Sequence, residues 1–163
     1  MLFRSETVTG MQVRPDCKWP NDLMVNGRKI CGILLESASN HGSATDYLVI
    51  GAGVNVAFFP DDAERPATSL ASLGAPVSVN DLVSVYVARI AHWLPIWEQQ
   101  GFGPIREAWL TRAYGIGDPV VARLTERELH GTFVGLDDDG ALILREDRGD
   151  EHRIGAGEIF FRA

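Results

Sequence analysis

The segment Gly115-Ile116-Gly117-Asp118-Pro119 constrains this 163-residue chain more than any other. In the stretch before it, from Val83 to Trp97, apolar residues recur every three or four positions, as in helices. After it, they recur at every second position, as in strands. Two glycines and a proline within five residues cannot continue either kind of element. We therefore predict an α+β fold in two units, residues 1–114 and residues 115–163.

The first fifty residues predict successive antiparallel strands. The strongest local signal is Asn26-Gly27, which lies between the apolar runs 23–25 and 28–36. Such a pair favours a two-residue type I′ hairpin, because both of its residues must adopt a positive φ. A second turn at Asn40–Ser43 leads into a strand over Asp46–Ile50 that ends at Gly51.

Two helices and a set of short strands are predicted next. Asn80 can cap a helix whose apolar residues recur at helical spacing as far as Trp97, and Pro95 should kink or shorten that helix. Pro104 is well placed to begin a second helix, which should end near Ala113. Beyond residue 115, the alternating pattern predicts strands over 120–124, 129–136, 141–144 and 158–161, with a solvated turn at 137–140. These strands should form a small β-barrel or β-sandwich.

Composition and charge exclude several classes of protein. The chain carries 22 acidic residues against 15 basic ones, a formal net charge of −7, which is unsuited to binding a nucleic-acid backbone. No apolar run approaches the length of a membrane span, and Met1–Glu6 shows no secretory signal. The two cysteines, Cys17 and Cys31, fit neither a disulfide framework nor a metal motif. We expect a soluble, cytoplasmic protein without nucleic-acid or membrane partners.

One short element predicts a fixed positive charge. Lys18 is followed by the bulky Trp19 and by a rigid turn at Pro20-Asn21-Asp22. A lysine held by packing suits a reaction that develops charge on a carboxylate or a phosphate. Taken alone, the simpler interpretation is a surface lysine before a turn.

Two glycine-containing elements complete the candidate site. Gly32 interrupts an apolar strand, as is common where a ligand or another backbone approaches closely. Gly51 and Gly53 would permit flat contact with a ligand, and Asn55 could pair with a base edge. Their simpler interpretations are a bulge in a core strand and a strand end whose asparagine bonds its own turn. Gly51-Ala52-Gly53 also begins like a dinucleotide fingerprint, but the third glycine is absent.

Together these elements resemble the biotin protein ligases. The resemblance rests on Lys-Trp-Pro-Asn-Asp at 18–22, Gly-Ile-Leu-Leu-Glu at 32–36 and Gly-x-Gly-x-Asn at 51–55, in this order. It continues through Trp109-x-x-Arg112-Ala113 to Gly157-Glu158-Ile159. The resemblance implies a class II synthetase-like (biotin–lipoate ligase) catalytic fold with a mixed, mainly antiparallel sheet, followed by a small SH3-like β-barrel.

The resemblance also implies an activity and the residues that serve it. Biotin and ATP, with Mg²⁺, would give biotinyl-5′-AMP, and a lysine of a carboxylase's biotin-carrier domain would then displace AMP. Lys18 matches the family lysine that contacts biotin and the adenylate. The residues implied at biotin are Lys18, Gly32 and Ile33. Those implied at the nucleotide are Asn55, Gly51 and Gly53, with Trp19, Asn21 and Asp22 shaping the site.

Members of the family carry a Ser/Thr segment and a Gly-Arg-rich loop upstream of the Lys-Trp-Pro-Asn-Asp strand. Here sixteen residues precede Cys17, and among them only Arg4 and Arg14 are basic. We therefore expect a partial catalytic domain with an exposed sheet edge, which pairing with itself or with a second chain would protect. Two alternatives stay open: a non-catalytic binding or dimerisation module that lacks this loop, and a lipoate-type acyl ligase, against which the Lys18–Asp22 motif and the C-terminal barrel argue.

Overall fold

A computed structural model describes residues 13–38, 47–60, 65–125 and 127–161. Two antiparallel sheets are separated along the chain by two helices. The strands of the first sheet are β1 (Asp16–Lys18), β2 (Asp22–Val25), β3 (Arg28–Ala38) and β4 (Tyr47–Val54). The helices are α1 (Val79–Gln100) and α2 (Gly103–Leu110). The strands of the second sheet are β5 (Pro119–Arg123), β6 (Glu128–Leu136), β7 (Leu142–Arg145), β8 (Glu151–Ile154) and β9 (Glu158–Phe161). The predicted α+β fold is confirmed.

The first sheet has the order β1-β2-β3-β4. Asn26 and Gly27 have φ angles of 51° and 71°, and Val25 pairs directly with Arg28, so the predicted two-residue hairpin is confirmed. The strand predicted to end at Gly51 instead continues to Val54. It does so because the small residues stay in register with β3: Gly51 pairs with Leu34 and Gly53 with Gly32. The turn predicted at Asn40–Ser43 lies outside the described residues.

The predicted cap of α1 is wrong, and Pro95 does not shorten the helix. Ser78 caps the helix: its Oγ accepts a hydrogen bond from the Asp81 backbone N–H (3.1 Å) and donates one to Asp81 Oδ2 (2.7 Å). Asn80 lies inside the first turn instead. The helix runs through Pro95 to Gln100, since proline removes one hydrogen bond from a helix of 22 residues.

The second helix begins where the sequence predicts and ends earlier. Pro104 occupies its first turn, and the helix ends at Leu110 rather than near Ala113. None of the residues of either helix is buried. Neither helix in the described ranges is long and apolar enough to cross a membrane.

The second sheet has the order β8-β7-β6-β5-β9. Its predicted strands are present within one residue at each end, but β8 was not predicted. The sequence of β8, Glu-His-Arg-Ile, carries a single apolar residue, so no alternation marks it. Within the described ranges, β8 and β9 are the two edges of this sheet.

Two buried clusters hold the fold together. One lies on the first sheet and contains Cys17, Leu23, Val25, Ile30 and Cys31. The other lies on the second sheet, and Trp19 of the first unit belongs to it. Trp109 of α2 packs against both. The two sheets are therefore joined by side chains that come from the turn after β1 and from α2.

Large apolar side chains are left exposed on β3, β4 and α1. On β3 and β4 they are Leu34, Leu35, Tyr47, Leu48, Val49 and Ile50. On α1 they are Val79, Val83, Val87, Leu94 and Trp97. Within the described residues, β4 is an edge strand of its sheet, and residues 47–53 of it are exposed.

Candidate functional site

The turn between β1 and β2 is tied to β3 through Asn21. The Asn21 side-chain amide donates a hydrogen bond to the Ile33 carbonyl oxygen (2.6 Å), and the Ile33 backbone N–H donates one to the Asn21 carbonyl oxygen (2.9 Å). The peptide bond between Trp19 and Pro20 is cis. The turn is thereby held against the strand that carries Gly32.

Lys18 is the buried cation of this site. Only 6% of its surface is exposed. Burial lowers the pKa of its ammonium group, as does the nearby Arg65, whereas Asp22 and Glu158 oppose that shift. The sequence contains two lysines, and the second, Lys29, lies close enough to add to the lowering of the Lys18 pKa. The two lysine side chains of the sequence therefore lie close to each other at this site.

A chain of charged side chains runs from the first sheet to the second. Lys29 Nζ lies 2.6 Å from Asp22 Oδ1, and Arg65 Nη1 lies 3.8 Å from Asp22 Oδ2. Arg65 also forms an ion pair with Glu158 at the start of β9. Asp22 is 8% exposed, so its carboxylate is largely removed from water and is compensated by two cations.

A cavity of about 550 Å³ opens beside these charges. Its floor is the glycine-rich part of β3 and β4, where Gly32 faces Gly53 and Leu34 faces Gly51. A Cβ atom placed on Gly53 would have the Gly32 carbonyl oxygen at 3.8 Å as its nearest neighbour, so the space above it is open. The cavity lining combines this flat surface with charged groups, namely Asp22, Lys29, Arg65 and Glu158.

A second cavity of about 380 Å³ adjoins the first, because Lys29, Gly32, Gly53, Arg65 and Glu158 line both. Asn55 lines the second one. The Asn55 side-chain amide donates hydrogen bonds to the carbonyl oxygens of Thr68 (3.0 Å) and Lys29 (3.5 Å). The contacts of this amide with the described residues therefore join β3 to the segment that follows Arg65.

The structure brings together most of the residues that the sequence predicts for the site. Residues that line the first cavity are Asn21, Asp22, Gly32, Ile33, Gly51 and Gly53. Lys18 lines neither cavity but interacts electrostatically with four residues that line the first. Trp19 is placed elsewhere: it is 4% exposed within the buried cluster of the second sheet, and its Nε1 donates to the Gly140 carbonyl oxygen (3.2 Å).

Sequence reasoning did not single out Lys29, Arg65 or Glu158. Glu158 lies within one of the motifs that carry the resemblance, and Lys29 lies three positions before another, the one at 32–36. Arg65 lies in a segment that matches none of the motifs, and its partner Glu158 is 93 positions away. Nothing local in the sequence indicates that contact.

Two family models match the chain. The biotin/lipoate A/B protein ligase family matches residues 7–55, and the biotin protein ligase C-terminal domain matches residues 115–162. The biotin–[acetyl-CoA-carboxylase] ligase of Paracoccus denitrificans is 40% identical over 158 residues, which are 93% of this chain and 65% of that protein. The chain belongs to the biotin protein ligase family. The bifunctional ligase/repressor BirA of Escherichia coli (strain K12) is 32% identical over 90% of this chain and 46% of its own length.

A solved structure of the family shows the same fold. The biotin protein ligase of Aquifex aeolicus in complex with biotin and ATP superposes with a TM-score of 0.79 at 25% identity, over 96% of this chain and 65% of that one. The chain thus spans about two thirds of the Paracoccus and Aquifex ligases and less than half of BirA.

Proposed function

We propose that this chain carries the activity of a biotin protein ligase. Biotin and ATP would form biotinyl-5′-AMP, and the biotinyl group would pass to a lysine of a biotin-carrier domain. The observation that carries the proposal is the buried Lys18 beside a glycine-floored cavity, in a chain whose two halves both match the family.

The residues of the site take separate parts in this proposal. Lys18, Gly32 and Ile33 contact biotin. Gly51, Gly53 and Asn55 face the nucleotide, and Asn21 and Asp22 shape the site. Trp19 shapes the site by anchoring the turn, an assignment supported by its burial in the second sheet's cluster. The open space above Gly53 and the flat pairing of Gly32 with Gly53 support close approach of a ligand.

In the first step, a biotin carboxylate oxygen forms a bond to the α-phosphorus of ATP as the bond to pyrophosphate breaks. Negative charge accumulates on the phosphoryl oxygens, and the Lys18 ammonium group, held by packing, stabilises it. In the second step, the acceptor amine attacks the biotinyl carbonyl carbon, AMP leaves with the electron pair, and the amine loses a proton. Lys18 again faces the anionic leaving group.

Magnesium would enter with the nucleotide. Among the described residues, no group of three or more His, Cys, Asp and Glu side chains is placed to hold a metal ion. The two carboxylates at the cavity, Asp22 and Glu158, are already paired with Lys29 and Arg65. These residues do not fit a metal site of their own, and we assign none of them to Mg²⁺.

The remaining parts of the proposal concern organisation and partners. We propose a partial catalytic domain over residues 1–114 and an SH3-like domain over residues 115–163, supported by the C-terminal family match that begins at residue 115. The acceptor is the carrier domain of a biotin-dependent carboxylase, in the cytoplasm and without nucleic acid or membrane. Pairing with a second copy or another chain would cover the exposed edge strand β4.

Calorimetry of the whole chain tests the proposal. We expect a non-hydrolysable biotinyl-adenylate analogue to bind more tightly than biotin, and Lys18→Ala to weaken the analogue at least tenfold. Arg145→Ala is the matched control, because it also removes one cation but from an exposed pair with Glu151 on the second sheet. A folded chain that binds neither ligand contradicts the proposal and supports a non-catalytic binding module instead.

A further inference from the structure

Arg65 connects the two sheets at the mouth of the cavities. Its guanidinium group pairs with Glu158 and lies 4.8 Å from the centroid of the Phe160 ring, and both of these residues are on β9. The same group reaches back to Asp22 Oδ2 at 3.8 Å. A single side chain therefore contacts the first residue of β2 and the edge strand of the second sheet.

The backbone beside Arg65 is fixed to the first sheet. The Lys29 backbone N–H donates to the Pro66 carbonyl oxygen (2.8 Å), and the Thr68 N–H donates to the Lys29 carbonyl oxygen (3.0 Å). Ala67 forms a parallel bridge with Lys29. Because hydrogen bonds to β3 hold the main chain beside Arg65, the ion pair of Arg65 with Glu158 fixes β9 relative to the first sheet.

Arg123 provides an internal comparison. Its guanidinium group lies 4.6 Å from the centroid of the same Phe160 ring and pairs with Glu128 (2.9 Å). Both of its partners belong to the second sheet. Arg65 and Arg123 thus make the same two kinds of contact, and only Arg65 crosses between the sheets.

We propose that Arg65 is a positioning residue that holds Glu158 and β9 at the nucleotide end of the cleft and thereby sets nucleotide affinity. This inference rests on the function proposed above. Arg65 and Glu158 line both cavities, and in the second they lie with Gly53 and Asn55, which we assign to the nucleotide. The residues assigned to biotin lie on β1 (Lys18) and on β3 (Gly32 and Ile33) rather than on β9, and Lys18 and Ile33 do not line the second cavity.

Calorimetry with the whole chain tests this assignment. Arg65→Ala should weaken the non-hydrolysable biotinyl-adenylate analogue at least tenfold and biotin less than threefold. Glu158→Ala should have the same effect, and the double variant should be no weaker than either single one. Arg123→Ala should bind the analogue within twofold of wild type. Both arginine variants lose an ion pair and a ring contact, and Arg65→Ala also loses the contact with Asp22, so the stability of each variant is measured by urea unfolding and compared with its affinity.

Three results would overturn the inference: analogue affinity unchanged in Arg65→Ala, an equal loss in Arg123→Ala, or independent losses that multiply in the double variant. If the wild-type chain does not bind the analogue, the proposed function fails instead. The connection itself is then decided by urea unfolding of the wild type, Arg65→Ala, Glu158→Ala and the double variant. Shifts of the midpoint that are not additive for Arg65 and Glu158 support the connection between the sheets, and additive shifts refute it.

Discussion

The indole Nε1 of Trp19 donates a hydrogen bond to the carbonyl oxygen of Gly140 (3.2 Å), which lies 121 positions further along the chain. Trp19 follows the lysine of the candidate site directly, yet its ring is packed in the buried cluster of the second sheet. Arg106 of α2 contacts the same turn by donating to the carbonyl oxygens of Leu136 (2.5 and 3.0 Å) and Asp137 (3.0 Å). The position of Lys18 therefore depends on a turn of the other sheet.

Substitution of Trp19 should destabilise the whole chain. We expect Trp19→Ala to lower the free energy of unfolding by about 3–5 kcal/mol, because a large buried ring is lost. Trp19→Phe keeps most of the ring but loses the hydrogen bond, which costs about 1–2 kcal/mol. Urea unfolding followed by circular dichroism measures both. Trp97→Ala is the control, since Trp97 is 52% exposed; an equal loss there would contradict the assignment of Trp19 to the buried cluster.

The ammonium group of Lys18 should cost stability at neutral pH. Burial holds its pKa below the 10.5 of the unfolded chain, so between these two pKa values the unfolded state binds more protons and stability rises with pH. Lys18→Met should therefore be more stable than wild type at pH 7, and the difference should shrink as the pH approaches 10.5. The measured quantity is the difference in the free energy of unfolding between wild type and Lys18→Met. Burial raises the pKa of Cys31 to about 11, and this lowers the stability of both proteins above pH 9.

The pKa of Lys18 can also be measured directly. Since the sequence contains two lysines, isotope-labelled lysine gives two side-chain NMR signals, and Lys29→Arg assigns them. A Lys18 signal that titrates at or above 10.5 would contradict the expected shift.

Gly53→Ala should separate ligand binding from folding. The added Cβ would meet only ordinary van der Waals contact, so we expect the free energy of unfolding to change by less than about 0.5 kcal/mol. The methyl group would project over the cavity floor and weaken the adenylate analogue at least tenfold. Gly131→Ala is the opposite case: its Cβ would lie 2.5 Å from Leu144 Cδ2 and closer still to the Arg145 carbonyl oxygen, so we expect a loss of about 1–3 kcal/mol. If Gly53→Ala and Gly131→Ala were equally stable, the open space at Gly53 and the close contacts at Gly131 would both be contradicted.

The cap of α1 can be tested with a pair of neighbouring substitutions. Ser78→Ala removes the acceptor for the Asp81 N–H and should cost about 1 kcal/mol, a fall of about 2–4 °C in the thermal midpoint. Asn80→Ala should be neutral or slightly stabilising, because alanine is the better helix former inside the first turn. A larger fall in the thermal midpoint for Asn80→Ala than for Ser78→Ala would indicate that Asn80 is the cap.

Features set by neighbouring residues were predictable from the sequence. Asn26-Gly27 makes its turn because both positions adopt positive φ, and the alternating residues beyond 115 form strands because one face of their sheet is buried. The motif at 18–22 led to the correct family, and the glycines of β3 and β4 line one cavity. In each case the chemistry of a few adjacent residues decides the outcome.

Features set by distant contacts were not predictable. The pairing of Arg65 with Glu158 and the placement of Trp19 depend on how the two sheets meet, and no local pattern encodes that arrangement. The cap at Ser78 was a near miss of two positions, since serine and asparagine are both strong caps. The predicted shortening of α1 at Pro95 was wrong because the local cost of proline was weighed without the remaining hydrogen bonds of a 22-residue helix.

The hydrogen bond between Trp19 and Gly140 also determines when the site can form during synthesis on the ribosome. With 121 positions between them, and elongation at about 5–20 residues per second, the indole ring is synthesised roughly 6–24 s before its acceptor. During that interval the turn beside Lys18 has no partner to hold it. The cleft is consequently completed late in synthesis. In a nascent chain halted before Gly140, the turn beside Lys18 would lack the hydrogen bond that fixes its position.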